Sequence, residues 1–253
     1  MIAIISDIHG NLEALQAVMK RIEEMNIDQI VCLGDVVGYG ASPLECINII
    51  KERTKSWIRG NHEAGLLFIA QDFNKKAREA LEWTKSTIRK LPRKERAEVW
   101  KLIDGTPEKE TINDGEILLV HGSPIDPVRE YILPRNASDP VRTRQWFEAM
   151  GEHKLCFVGH SHVPLMVFEN RGVLLIQGEE RNIKIGEEKV IVNVGSVGQP
   201  RDTDPRACFV VLDTEKKEIN YIRVEYDVHA AAEKIFNIPE LDDSLGERLI
   251  LGR

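Results

Sequence analysis

The chain has no Cys-x-x-Cys pair: its four cysteines, Cys32, Cys46, Cys156 and Cys208, are scattered through 253 residues. That spacing excludes a disulfide framework and a thiolate-rich zinc site. Three of the four lie in apolar runs, so they read as core thiols of a reducing compartment. A run of about 18 apolar residues is also missing, which excludes a helical membrane span. No basic, apolar leader precedes the first strand at Ile2–Ile5, and the expectation is a cytoplasmic protein with no membrane partner. Nor is there an excess of positive charge. With 34 Lys and Arg against 41 Asp and Glu, the formal net charge is -7, and no basic stripe interrupts it, so stable nucleic-acid binding is not expected. Internal repeats and low-complexity linkers are absent, and residues 1–253 are read as one domain.

What is present is an alternation of short apolar runs and amphipathic stretches. Strands at 2–5, 29–33 and 55–58 flank helices at 11–25 and 43–52, a βαβαβ order that predicts a parallel sheet covered by helices. Residues 64–104 turn to polar helical patterns, 74–90 and 93–102, broken by Pro92, and read as a helical insertion or cap with Phe68, Phe73 and Trp83 as its helix core. From 111 onward strands dominate: 116–120, 155–158, a hairpin over 166–176 turned at Asn170, Arg171 and Gly172, then 190–194, 208–212 and 219–226. Helical patterns cover 139–150 and 228–236, and a short acidic element closes the chain at 239–251.

The chemistry-bearing residues fall where these strands end. Asp7 and His9 follow the first strand; two apart, they would point the same way from an extended strand end and could grip one cation, although a helix cap with an incidental histidine would look the same. Asn11 fits such a cap. Gly34-Asp35 follows the second strand, bringing a carboxylate that could bridge two cations. Gly60-Asn61-His62 follows the third and, alone, would pass for a polar turn. His121 ends the 116–120 strand, and Gly159-His160-Ser161-His162 follows 155–158. Five of the seven histidines therefore stand at strand ends beside or near glycine, while His153 and His229 do not. An isolated histidine is usually core or surface; five at one kind of position are not.

The ordered series Asp7-x-His9, Gly34-Asp35, Gly60-Asn61-His62, His121 and Gly159-His160-x-His162 resembles the calcineurin-like metallophosphoesterase superfamily. The later block Asn193-Val194-Gly195-Ser196-Val197-Gly198-Gln199-Pro200-Arg201 is similar to one found in a prokaryotic branch of compact phosphodiesterases, with Val194 where that branch usually has proline. His121 lacks the preceding glycine of many relatives. The fold this resemblance implies is α/β, a four-layer α-β-β-α sandwich of two mixed sheets flanked by helices, with the helical insertion packed nearby.

The same resemblance implies two divalent metal ions, with Asp7, His9 and His162 on one, Asn61, His121 and His160 on the other, and Asp35 bridging. A ligand set without thiolate suits manganese, iron, zinc or nickel more than a Cys-rich zinc site, and manganese is the ion expected. Two such ions less two aspartates leave a local excess of about +2 in an acidic chain, enough to hold a phosphate ester and make a bridging hydroxide. His62 is implied as general acid or stabiliser of the leaving oxygen. Arg201 reads either as a substrate contact or as a structural cation paired to Asp202 or Asp204. The expected partner is a small phosphate ester, a phosphodiester first, with a dinucleoside polyphosphate or phosphoprotein as alternatives. A non-catalytic scaffold is the competing class, and a homo-oligomer is left open.

Overall fold

The computed structural model describes residues 1–68 and 73–253. Along the chain the elements are β1 (Ile2–Ile5), α1 (Leu12–Glu24), β2 (Gln29–Cys32), α2 (Pro43–Arg53), β3 (Ser56–Trp57), α3 (Asn61–Leu67), α4 (Lys75–Arg89), α5 (Arg93–Asp104), β4 (Lys109–Ile112) and β5 (Ile117–Val120). They continue with α6 (Pro134–Ala137), α7 (Pro140–Ala149), β6 (Leu155–Val158), β7 (Leu165–Phe168), β8 (Gly172–Leu175), β9 (Ile183–Lys184), β10 (Val190–Asn193), β11 (Ala207–Asp213), β12 (Glu218–Val224), α8 (Val228–Phe236) and α9 (Ser244–Leu251).

Two six-stranded mixed sheets result, ordered β3-β2-β1-β11-β12-β9 and β4-β5-β6-β10-β7-β8. The alternation of a strand assigns its residues to layers. Ile2 and Ile4 of β1 point between the sheets and meet Leu119, Phe157 and Val192 of the second sheet, while Ala3 and Ile5 point outward to the helices. The outer face of the first sheet is covered by α1, whose Leu15, Val18, Met19 and Ile22 recur at helical spacing, and by Cys46, Ile47 and Ile50 of α2. The outer face of the second packs Cys156, Val158 and Ile191 against Trp146, Phe147 and Met150. These are the four layers the resemblance implied, and all four cysteines are buried in them. No helix among the described residues is long and apolar enough to cross a membrane.

Several elements differ from the sequence expectation. Asn61 does not sit in a turn: it is the first residue of α3, a seven-residue helix whose polar start hid it. The strand β4 escaped notice because its Lys109 and Thr111 are exposed and break the apolar signal, as suits a sheet edge. The strand β9 is only two residues long. Within 64–104, Trp83 packs beside α8 and α9 and Phe73 is half-buried, but Phe68 is 57 % exposed and is not core. Residues 69–72 of that segment lie outside the described residues.

One hydroxyl ties the sheets together at the end that matters. The buried Tyr221 of β12 points its O–H at Leu165 O (3.0 Å) and Asn193 O (2.9 Å), which face each other as the last rung between β7 and β10. Replacing it by phenylalanine leaves those buried carbonyls without their donor. Tyr221→Phe should therefore lower unfolding free energy by about 1–3 kcal/mol, read as a lower urea midpoint with an unchanged slope; an unchanged midpoint would contradict the tie.

Candidate metal centre

Parallel strands deliver their C-terminal ends to one place. β1, β2 and β3 are parallel in the first sheet, and β5, β6 and β10 in the second. Asp7 and His9 follow β1, Asp35 follows β2, Asn61 opens the helix after β3, His121 follows β5, and His160 and His162 follow β6. All seven residues singled out in the sequence as ligands are brought together there, with His62 beside them.

Asp7 and His9 do not converge because of an extended strand. Both have left-handed backbones, with φ of 55° and 49°, as do Asp35 (53°), His160 (64°) and His162 (59°). Aspartate and histidine tolerate that region better than most residues, yet each instance costs of order 1–3 kcal/mol and persists only where the surroundings enforce it. Here neighbouring loops enforce it: Asp7 N–H donates to Gly34 O (3.0 Å), His9 N–H to Asp35 O (2.9 Å) and Gly198 N–H to Asp7 O (2.8 Å). Two glycines make the approach possible. A Cβ on Gly60 would lie 2.1 Å from Asp35 Oδ1, and one on Gly159 would lie 2.5 Å from Asp7 Oδ2.

Each of the four clustered imidazoles spends one nitrogen on a backbone carbonyl. His9 Nδ1 reaches Val37 O (3.1 Å), His121 Nδ1 reaches Leu33 O (2.9 Å), His160 Nε2 reaches Arg129 O (3.0 Å) and His162 Nδ1 reaches Gln199 O (2.5 Å). A carbonyl only accepts, so those nitrogens carry N–H and the opposite nitrogens of the neutral rings present lone pairs. The lone-pair atoms face one another. His9 Nε2 is 3.0 Å from His162 Nε2, which is 3.2 Å from Asp7 Oδ1. His121 Nε2 is 3.1 Å from His160 Nδ1 and 3.1 Å from Asn61 Oδ1. Between the two groups, Asp35 Oδ2 lies 3.6 Å from His9 Nε2 and 3.4 Å from His121 Nε2.

Acceptors packed this closely repel unless a cation or proton lies among them. Asp7 Oδ1 is buried and accepts no hydrogen bond. The donor atoms of Asp7, His9 and His162, and those of Asp35, His121 and His160, each fall within 4.8 Å of one another. With Asp35 shared and Asn61 added, two sets of nitrogen and oxygen donors result, a chemistry that fits two divalent cations of the manganese, iron, zinc or nickel type.

The electrostatics agree. Burial alone would raise the Asp7 and Asp35 carboxyls, but His162 beside Asp7 and His121 beside Asp35 hold both well below the usual carboxylate range. Burial pushes His160 down to about 3 and His62 down to about 4, Asp35 opposing it in both. Burial also acts against His121, but the Asp35 carboxylate overrides it and holds this imidazole up at about 9.

His62 packs edge-on against His9 and Tyr39, each 4.6 Å away between ring centres, and against Phe73 at 5.2 Å. Its buried Nδ1 has no hydrogen-bond partner, and a Cβ on Gly38 would lie 2.0 Å from it, so no side chain fits on that side. Arg201 is paired with neither aspartate considered for it. Asp202 is held by Arg223 and Asp204 by Arg206, while the Arg201 guanidinium donates to Gln199 Oε1 (2.7 Å) and lies 5.9 Å from the Tyr39 ring. Asn11 does cap α1, accepting from Ala14 N–H (3.1 Å), and its amide also donates to Gly198 O (2.8 Å), joining the first loop to the 193–201 loop.

The residues that sequence reasoning passed over are Tyr39, Glu63, Arg129 and Tyr131. Tyr131 stacks on His160, 3.6 Å between ring centres and 22° from parallel. No spacing announces that contact, because the 122–133 loop folds back on itself: Gly122 N–H donates to Pro127 O (2.7 Å), and the Glu130 carboxylate takes Ser123, Arg142 and the Trp146 indole. Beside the second ligand group a cleft of about 140 Å³ opens, lined by Tyr39, Asn61, Phe73, Arg129, Tyr131 and His160 among others.

Known proteins share this arrangement of chain. A sequence profile described as "Calcineurin-like phosphoesterase superfamily domain" matches residues 1–217. An uncharacterized protein of Methanocaldococcus jannaschii, MJ0912, is 39 % identical over 259 residues, covering 100 % of this chain and 98 % of that one. Among solved structures, a metallophosphoesterase from Sphaerobacter thermophilus superposes with a TM-score of 0.83 at 32 % identity, over 100 % of this chain and 99 % of that one. Protein PH1004 of Pyrococcus horikoshii OT3 does so with a TM-score of 0.77 at 22 % identity, over 100 % and 98 %.

A protonated His121 must surrender its proton to any cation that uses Nε2. In the metal-free protein its raised pKa adds stability that is complete below about pH 6.5 and is lost as pH rises through about 9. Titrating metal-free protein with Mn at pH 7.5 in buffers of different ionisation enthalpy should show release of about one proton; heats independent of the buffer would contradict this.

Proposed function

The chain belongs to the calcineurin-like phosphoesterase superfamily, and on that premise we propose that it hydrolyses small phosphodiesters at a two-metal centre. In this reading Asp7, His9 and His162 hold one divalent ion, Asn61, His121 and His160 hold the other, and Asp35 bridges. The observation that supports it most directly is the set of four imidazoles whose outer N–H groups are bound to carbonyls while their inner nitrogens converge with Asp7 Oδ1 and Asp35 Oδ2. Manganese is the ion we place first.

Such ions, when bound, supply Lewis acidity and the positive field that a chain of net charge -7 lacks. The chain's own residues do the rest. Asp35 keeps the two ligand groups in register. His62, neutral because burial depresses it, offers an N–H hydrogen bond to the leaving oxygen and stabilises the charge that develops there. Arg201, poised by Gln199 next to Tyr39, takes the phosphate oxygens that are not displaced. Tyr131 and Arg129 wall the cleft beside His160. The segment 64–104 acts as a cap on one domain, with Phe73, just before α4, against His62 as its contribution to the site. Four buried thiols fit work in a reducing compartment such as the cytoplasm.

The test is a substrate panel with Mn added to metal-free protein: an aryl phosphodiester, an aryl phosphomonoester, a dinucleoside tetraphosphate and a phosphopeptide. The diester should give the highest kcat/KM; a higher value on another substrate would reassign the substrate class, and failure on all four would remove the enzymatic reading. His62→Ala should keep two metal ions per chain and lose about 10²- to 10³-fold in kcat. Unchanged turnover in that variant would take His62 out of the reaction.

A further inference from the structure

Two of the loops that carry the centre run on beyond the end of their ladder. β2 and β3 pair only at Val31 with Ser56 and Cys32 with Trp57, flanked by bonds from Lys55 N–H to Ile30 O (2.8 Å) and, at the far end, from Ile58 N–H to Cys32 O (2.8 Å). Past that point Asp35 and Asn61 lie on adjacent stretches with no strand pairing between them. Glu63, fully buried in the first turn of α3, occupies the gap. Its Oε2 accepts from Asp35 N–H (2.8 Å) and Gly60 N–H (2.9 Å), and its Oε1 accepts from Val36 N–H (2.8 Å). In return Asp35 Oδ1 accepts the N–H of His62 (2.8 Å).

We infer that Glu63 is a positioning residue for the metal centre: by gathering three backbone N–H groups from both loops, it fixes Asp35 and Asn61 as ligands before any ion is bound. The inference rests on the ligand assignment proposed above. Its physical content is the exchange of bonds. Asp35 has a left-handed backbone, a conformation that needs its N–H and that of Val36 held from outside. With Oδ1 engaged by His62 N–H, the other oxygen, Oδ2, is left facing His9 and His121. The same carboxylate of Glu63 reaches back to Gly60 at the start of α3, as the N3 glutamate of a capping box does, and so sets where Asn61 begins.

Only an acceptor-only side chain satisfies three converging donors. Glutamine keeps the length and shape but turns an NH₂ toward at least one of them. The effect therefore belongs to the ligands' orientation, a role ordinarily worth 10- to 100-fold in metal affinity.

The experiment titrates Mn into metal-free wild type and Glu63→Gln, with metal content measured on the dialysed proteins and circular dichroism as a check of fold. The expected result is two ions per wild-type chain and an affinity about 10- to 100-fold weaker in the variant, with its turnover restored as Mn is raised. Unchanged Mn affinity alongside a lower melting temperature would make Glu63 merely structural and overturn the inference. Wild type that binds no Mn would instead defeat the ligand assignment itself. Should Glu63→Gln not fold, amide exchange on the metal-free wild type decides: the Asp35, Val36 and Gly60 N–H groups should be protected as strongly as β2, and rapid exchange until Mn is added would overturn the inference.

Discussion

Everything at this centre depends on how four imidazole rings are held by their far sides. A ring nitrogen that donates to a carbonyl fixes both the tautomer and the orientation of the ring, and the nitrogen left over must be an acceptor. His9, His121, His160 and His162 each obey this, and their acceptors are Val37, Leu33, Arg129 and Gln199, residues in or next to the loops that also carry ligands or the 193–201 block. The inward surface of the site is therefore built from imidazole nitrogens and carboxylate oxygens, with the His121 imidazolium the cation beside Asp35, in a chain that is acidic overall. Such a surface could hold divalent cations.

The backbone bears the cost of that arrangement. Five of the clustered residues stand in left-handed conformations, and the fold supplies the compensation by stitching loop to loop: the 193–201 loop to the Asp7 loop, the Asp35 loop to the start of α3, and the 122–133 loop onto His160. Behind the stitching lies an interior of interdigitated Ile, Leu, Val and Phe from both sheets. Such an interior resists shear, so the two sets of strand ends keep a fixed separation. Tyr221, crossing from one sheet to the last rung of the other, sits at that boundary.

Much of this was legible in the sequence, and the reasons differ by feature. Short continuous apolar runs announced β1, β6 and β10, and the α1 pattern with Asn11 before it announced a capped helix, because burial and hydrogen bonding there are local. The gathering of these side chains at one place was legible because strand ends in parallel sheets converge and because aspartate, asparagine and histidine have few structural reasons to gather there. Elements such as β4, β9 and α3 were not, since a short or charged segment acquires its structure from a neighbour rather than from its own pattern. Phe68 was misplaced for the same reason: its spacing suited a helix core, but its position at the end of α3 leaves it in solvent.

By itself, the sequence determined which atoms could bind a cation and that they would arrive at one edge of a layered α/β fold, since side-chain chemistry and strand periodicity are written residue by residue. Only the tertiary structure decided how those atoms face one another. It turned Asp7 and His9 by left-handed backbones instead of a strand pleat, took Asp202 away from Arg201 and gave it to Arg223, laid Tyr131 on His160, and set Glu63 under Asp35. Each of these joins residues far apart in sequence or through backbone N–H and C=O groups, which are the same at every position and carry no signal until the chain has folded.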